Sequence, residues 1–433
     1  MDVHDLVGVG FGPSNIGLAI ALKEDFAVET RDSSILFLES KTSHSWHHPM
    51  MLPNAKMQIS FMKDLCFLRN PSSRYTFVNY LHQKGRLASF ANLRDFNPSR
   101  KEFDDYLRWT AEQFKGLIRY SSSVEAVVPV IHNSKVTYLD LQVRDTRTQA
   151  VNIVRTRNLT LAIGGQPVMP APAEHPHVFH SSAFLQRIEH YDPTKPHRFL
   201  VVGAGQSAAE IYQYLIDRYR HADVHVVCSG IGFKQADDSV YINEMFDHSM
   251  VDRFFGLNET ERSNLLARHK DSNYSVADLS LIQQLYREEY EASIDGSRQR
   301  FGVLKFSRLA HLDFEDDGIQ VRLKSTLDGH EHVRGADVVI FATGYHRRHN
   351  NSLLNALKPY WQTSTNTQPV LSRHYALQTR EDFLPGIYIQ GMSETTHGLS
   401  DTLLSVISRR AYEVAQDMVE RHLAPRVDRD IAV

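Results

Sequence analysis

Two glycine turns have the residue types and spacing that could do chemistry. The first, Gly10-Phe11-Gly12-Pro13-Ser14-Asn15, follows the apolar run Leu6-Val7-Gly8-Val9 without a gap, and Ile16, Leu18, Ala19, Ile20 and Leu22 continue as a helix. Strand, glycine turn and helix in that order set a pyrophosphate on free backbone N–H groups at the helix N-terminus. Gly10 permits the tight turn and Gly12 lets a phosphate approach the backbone. Asn15 stands where a third glycine often sits. A second apolar run, Ile35 to Leu38, ends in Glu39, an acid placed for ribose hydroxyls.

The second turn is Gly203-Ala204-Gly205-Gln206-Ser207-Ala208, between the strand Phe199–Val202 and a helix from Ala209 to Ile216. The strand after it, Asp223–Val227, ends in Cys228-Ser229-Gly230 and carries no acid to repel a 2′-phosphate, which leaves room for NADP. The nearest base in sequence is Lys234. Two dinucleotide turns imply two nucleotides that meet, the plan of a flavoprotein in which NAD(P)H passes hydride to FAD. Dithiol reductases share that plan but need a cysteine pair. Cys66 and Cys228 are the only cysteines and lie far apart, so oxygen is the natural electron acceptor.

Composition narrows the class. The chain has 433 residues, enough for two or three domains, and a net charge of −3 that argues against a nucleic-acid or anionic-membrane surface. No apolar run approaches the roughly 18 residues of a membrane span. The acidic start, MDVHDL, enters a strand directly, so no signal peptide and a cytoplasmic location are expected. Adjacent His47 and His48 point apart and lack a carboxylate at ligand spacing, which favours a loop over a metal site.

The remaining elements must hold these turns. Residues 71–113 read as two helices, with Ser99 capping the second ahead of Glu102. Val124–Val130, Val136–Val143 and Val151–Arg155 alternate as a β-meander, and Asn158–Gly165 reads as a buried strand. Pro167, Pro170, Pro172 and Pro176 mark a linker. Residues 232–274 show no period, Val276–Tyr290 reads as a helix, Ala336–Tyr345 as a buried strand, and Thr402–Arg421 as one long helix. Lys63, inside the otherwise apolar run Ile59–Leu68, is either a snorkelling surface lysine or a cation held for an anionic ligand.

The stretches VGVGFGPSNIGLA, MQISFMKDL, NPSRKEFDDYLRW, GAGQSAAEIY, NEMF, FATGY and THGLSDTLLS together resemble the flavin-dependent N-hydroxylating monooxygenases, above all the L-ornithine N5-monooxygenases of hydroxamate siderophore biosynthesis. The resemblance runs from near residue 5 to about residue 415. It implies an α/β fold of two Rossmann-like domains, the second inserted into the first. Residues 1–170 and 335–433 would bind FAD, 171–240 and 300–334 NADPH, and 241–299 would form a smaller helical substrate region. It further implies oxygen transfer from a C4a-hydroperoxyflavin to the ornithine side-chain amine, and a dimer or tetramer.

Carried over by position, the resemblance puts Met57 and Gln58 beside the flavin and Lys63 on the substrate carboxylate. Asn243 and Asn273 would hold the α-amino group, and Ser405, with Ser400 its nearest rival, would lie near the side-chain amine. Gly10, Gly12, Pro13, Ser14, Asn15, Glu39, Trp46, His47, Thr343, Gly344, Tyr345, Ser400, Asp401 and Leu403 fall at flavin or nucleotide positions, and Gly203, Gly205, Gln206, Ser207 and Lys234 at the nicotinamide nucleotide. Ser229 replaces the family's usual arginine for the 2′-phosphate, and Ser393 a common asparagine. The NEMF stretch around Asn243 favours ornithine over lysine. Two other readings stand beside this one. Phe179–Phe184 partly matches the linker motif of flavin monooxygenases acting on sulfur or ketones, and a non-enzymatic flavoprotein would share the first turn.

Overall fold

The computed structural model describes residues 2–170, 175–294, 300–316, 318–347, 352–364 and 368–423. Pro172, the expected boundary at residue 171, the end of the helical substrate region at 299 and the end of the FAD unit at 433 lie outside that range.

Two parallel five-stranded sheets organise the chain. In the first, the strands lie in the order Ile387–Ile389, Leu159–Leu161, Leu6–Val9, Ile35–Leu38, Ile118–Arg119. In the second the order is Val178–His180, Val338–Phe341, Arg198–Val202, Asp223–Val227, Phe301–Leu304. Every strand of the second sheet falls in sequence between Leu161 and Ile387, so the second nucleotide fold is inserted into the first. The crossings run side by side, since Tyr345–His346 pairs antiparallel with Gln166–Pro167. The β-meander forms as read, with Ser122–His132, Lys135–Asp145 and Val151–Thr156 antiparallel, and a second antiparallel sheet spans Ser307–Glu315, Gly318–Ser325 and Glu331–Ala336.

The apolar pattern explains why each turn is fixed. Leu6 and Val7 on the first strand and Ile16, Leu18 and Ile20 on the following helix are all fully buried. Each such side chain contributes about 1.5–3 kcal/mol. Gly10 has φ 81° and Gly203 φ 137°, and a Cβ there would sit 2.6 Å and 2.3 Å from the carbonyl oxygens of Ala162 and Ala342. Neither turn can close around another residue type.

Several expected boundaries move. The strand Val338–Phe341 pairs with Arg198–Val202, so the chain leaves the second sheet after Phe341 rather than at 335. The helix expected at Val276–Tyr290 runs Leu279–Ile294, and its Leu285 and Ala292 enter the core of the second sheet rather than a separate substrate unit. Residues 71–113 hold three helices, Phe77–Gln83, Leu87–Leu93 and Arg100–Glu112, because Gly85 at φ 68° breaks what reads as one. The aperiodic stretch holds His248–Phe255 and Glu259–His269. The final helix begins at Ile407, with tight turns occupying Leu399–Thr402 and Leu404–Val406.

Candidate active site

The first turn presents an open cradle. Gly12 caps the helix Pro13–Asp25 at φ −87°, and a Cβ placed on it would meet nothing within 4 Å. Asn15 does what a third glycine cannot. Its buried amide donates to the carbonyls of Gly10 (2.6 Å) and Val9 (3.3 Å), while its oxygen accepts from Gln390 Nε2 (3.1 Å) and Thr160 Oγ1 (3.3 Å). The turn is therefore pinned to the adjacent strand Leu159–Leu161 and to the residue that follows the strand beyond it, Ile387–Ile389. Glu39 sits at the strand end as expected, accepting from the N–H groups of Phe11 at 2.9 Å and Lys41 at 3.0 Å, so it braces the turn it faces.

Arg410 is a residue that sequence reasoning missed. Only 1% exposed, it donates through Nη2 to Ser14 Oγ at 2.8 Å and pairs through Nη1 with Asp401 Oδ1 at 2.9 Å. Asp401 also accepts from the Ser393 N–H. A buried charge must be matched in this way, and the match ties the helix start to the Ser400–Asp401 turn. Because Ser14 accepts from Arg410, its single O–H is left to donate elsewhere at the helix N-terminus.

The expected substrate residues lie on four separate segments of the chain. Met57 is buried in one core with Leu65 and Ile407, against which Ile59, Phe61 and Leu404 also pack. Met57 and Phe61 donate backbone N–H bonds to Pro98 (2.9 Å) and Phe96 (2.8 Å), which anchors the segment carrying exposed Gln58 and half-buried Lys63. Nearby Lys56 pairs with Asp95 at 2.6 Å, whereas no carboxylate among the described residues lies within 4.0 Å of the Lys63 ammonium. Asp64, the next residue, turns into the core, where it accepts N–H bonds from Cys66 (2.8 Å), Phe67 (2.6 Å) and Phe77 (2.7 Å). Burial pushes its pKa up to about 6 despite those donors. Asp64 thus fixes the Lys63 turn and does not neutralise it.

Asn243 lies on the short turn Ile242–Phe246, which packs beside Leu399–Thr402, and its Nδ2 donates to the Asp238 carbonyl at 2.8 Å. Asn273 is half-buried and precedes Tyr274, whose hydroxyl donates to Glu394 Oε2 at 2.5 Å and meets Thr402 Oγ1 at 3.4 Å. Ser405 is 5% exposed and its Oγ has no hydrogen-bond partner among the described residues, as is true of few buried hydroxyls. Ser400 and Asp401 are buried beside it, and Leu403 is the extended residue between the two turns. The turn bearing Asn243 and the residue after Asn273 lie against Leu399–Thr402, and Lys63 sits on the segment whose Met57 and Leu65 share a core with Ile407.

That orphaned hydroxyl makes a prediction. Ser405→Ala removes a buried group that costs about 1–3 kcal/mol while unsatisfied, so the apoprotein should melt at the same temperature or higher. Substrate affinity should fall several-fold. A lower melting temperature with unchanged affinity would make Ser405 a packing residue only.

Around the second turn, the Gln206 amide is engaged at both its nitrogen and its oxygen. Its Nε2 donates to Glu210 Oε1 at 2.9 Å and its Oε1 accepts from the Asp278 N–H at 2.8 Å, while Arg100 from the first domain grips Glu210 at 2.8 and 3.0 Å. Ser207 is half-buried on the same helix start. The loop Ser275–Val276 passes 3.7 Å from where a Gly205 Cβ would stand. Lys234 forms an ion pair with Asp271 on this loop. Thr343 Oγ1 donates to Val168 O at 2.6 Å, Gly344 O accepts from the Val168 N–H at 3.0 Å, and Tyr345 lies edge-on to His180 at 5.1 Å, so this stretch fastens the two chain crossings.

His47, at φ 50°, touches Trp46 edge-on at 4.6 Å. Desolvation, with Arg100, Arg347 and Lys41 nearby, brings its pKa down to about 4. His47 is nonetheless exposed to solvent as a residue. Behind Asp401, fully buried His397 is likewise held neutral, with a pKa of about 4, and stacks on Tyr375 at 4.0 Å. Among the described residues no group of three or more metal-ligating side chains occurs, and His47 precedes the short helical turn His48–Met50.

Residues 2–347 match the family described as L-lysine 6-monooxygenase/L-ornithine 5-monooxygenase. An L-ornithine N(5)-monooxygenase of Pseudomonas aeruginosa is 38% identical over 431 residues, covering 98% of this chain and 95% of that protein. The solved ornithine hydroxylase PvdA of the same organism superposes with a TM-score of 0.91 at 37% identity, covering 97% of this chain and all of that one. The ornithine N-hydroxylase KtzI of Kutzneria sp. 744, solved with reduced FAD, NADP+ and L-ornithine, gives 0.92 at 36% identity, covering 97% and 99%. With two nucleotide turns and likeness along nearly its whole length, the chain belongs to the L-lysine 6-monooxygenase/L-ornithine 5-monooxygenase family.

Proposed function

We propose that this protein is an FAD- and NADPH-dependent L-ornithine N5-monooxygenase, which turns ornithine, oxygen, NADPH and a proton into N5-hydroxyornithine, water and NADP+. The observation that carries the substrate assignment is Lys63, a half-buried ammonium with no carboxylate within 4.0 Å among the described residues. The relatives of known name at this level of identity act on ornithine, which supports the same reading.

The first turn fits FAD. Gly12 leaves the helix N-terminus open to a pyrophosphate, Ser14 has an O–H to donate, and Glu39 faces the turn from the neighbouring strand. The second turn, on the inserted sheet, is assigned to NADPH. Bound flavin, reduced by that nucleotide, supplies the activated oxygen. The chain's own residues do the rest. Lys63 engages the substrate carboxylate, and Asn243 and Asn273 fix its α-amino group. The Leu399–Ile407 segment, with Ser405, faces the extended side chain. A free alkylamine has a pKa of about 10.4, and desolvation in the substrate site lowers it toward the neutral nucleophile the reaction needs. No side-chain base is required, because position and exclusion of water carry the selectivity.

Hydroxylamine formation and NADPH consumption, measured side by side on three amines, test the reading. L-Ornithine should be hydroxylated with tight coupling, L-lysine poorly or with peroxide release, and putrescine hardly at all, since it has no carboxylate for Lys63. Putrescine turning over as well as ornithine would sink the carboxylate clasp. Among the described residues no helix is long and apolar enough to cross a membrane. A cytoplasmic location, a dimeric or tetrameric state and a place in hydroxamate siderophore biosynthesis complete the proposal, the assembly being checked by light scattering.

A further inference from the structure

We propose that Lys305 is the base that recognises the 2′-phosphate of the nicotinamide nucleotide, an inference that rests on the NADPH reading of the second turn. In a fold of this kind the adenosine ribose lies past the C-terminal end of the second strand. That strand is Asp223–Val227, and the residues following it are Cys228, Ser229 and Gly230, none of them charged. The base must therefore come from a neighbouring element.

The neighbour is the strand Phe301–Leu304. It runs parallel to Asp223–Val227 with Val227 opposite Leu304, so Cys228 and Lys305 are the first residues beyond the two strand ends. The chain then wraps the loop. The Cys228 N–H donates to Leu304 O at 3.1 Å, the Phe306 N–H to Gly230 O at 2.7 Å and the Ser307 N–H to Cys228 O at 2.8 Å. Phe306 takes a left-handed conformation at φ 51° to make this closure. Thr326 Oγ1 fences the other side, donating to Ser229 O at 3.0 Å. These bonds hold Lys305 directly against the Cys228–Gly230 loop.

Charge supports the same residue. Lys305 is exposed, and no carboxylate among the described residues lies within 4.0 Å of its ammonium. Lys234, the base nearest in sequence, is ion-paired with Asp271, and its backbone carbonyl accepts from the Ala277 N–H at 2.8 Å, which sets it over the Ser275–Val276 loop. That loop covers Gly205, where the pyrophosphate belongs, rather than the end of the second strand. A phosphate monoester carries about −1.5 to −2 charges at neutral pH, and a lysine meets it as a compact point charge.

Calorimetric titration of the FAD-loaded protein with 2′,5′-ADP and with 5′-AMP tests the assignment without turnover. The parent protein should bind 2′,5′-ADP the more tightly. Lys305→Ala should weaken 2′,5′-ADP about 10- to 100-fold, the range of one charged hydrogen bond, and leave 5′-AMP within about twofold. Lys305→Arg should retain the preference, and so should Lys234→Ala. A Lys305→Ala protein that kept the preference, or lost both nucleotides equally, would overturn the role of Lys305 alone, as would loss of the preference in Lys234→Ala. A parent protein binding neither nucleotide would overturn the NADPH reading of the second turn, and this inference with it.

Discussion

Gly12→Val is expected to leave a folded apoprotein that no longer binds FAD. The expectation follows from two features of the turn. Gly12 has φ −87°, a conformation open to any residue, and its missing Cβ faces free space, so valine brings neither strain nor collision. That free space is the one a pyrophosphate must enter to reach the backbone N–H groups. Losing two charge-assisted bonds of about 1.5–3 kcal/mol each amounts to roughly two to four orders of magnitude in affinity. Gly10→Ala should behave differently, because at φ 81° its Cβ would sit 2.6 Å from Ala162 O and strain the fold itself. Flavin absorbance after gel filtration and the thermal midpoint of the apoprotein separate the two effects. A Gly12→Val protein retaining a full complement of FAD would refute the placement.

Lys63→Ala is expected to raise KM for L-ornithine about 10- to 100-fold, the range of a charged hydrogen bond in a half-enclosed pocket. FAD content and flavin reduction by NADPH should stay close to the parent values. The turn around Lys63 is anchored by Asp64 and its three backbone donors, not by the lysine, so the substitution should not loosen the segment. Putrescine, lacking a carboxylate, should be insensitive to the change, and the ratio of ornithine to putrescine efficiency measures the clasp directly. An unchanged ornithine KM would return Lys63 to a surface role.

How much of this was legible in the sequence depended on the range of the interactions. The nucleotide turns were readable because strand, glycines and helix are contiguous, and Ser99 capping Glu102 was readable for the same reason. The role of Asn15 was not, since Thr160 and Gln390, the groups that orient it, lie 145 and 375 residues away. Arg410 looks like any helical arginine until its helix is laid against Ser14 and Asp401. Val338–Phe341 read as a buried strand, but parallel pairing is non-local and only the assembled sheet tells which one it joins. The helix Glu259–His269 could have been found, because Asn258 and Glu261 form a reciprocal capping box. Its weak apolar periodicity hid it. Lys234 is the nearest base to Ser229 in sequence, whereas Lys305 becomes a neighbour of Cys228 only through strand pairing.

The central claim is oxygen transfer to the side-chain nitrogen of ornithine, and mass spectrometry of the product formed under heavy-isotope oxygen gas tests it most directly. The account predicts hydroxyornithine carrying a single heavy oxygen atom on N5, formed in proportion to the NADPH consumed. NADPH consumption that yields only labelled peroxide, with ornithine recovered unchanged, would contradict it.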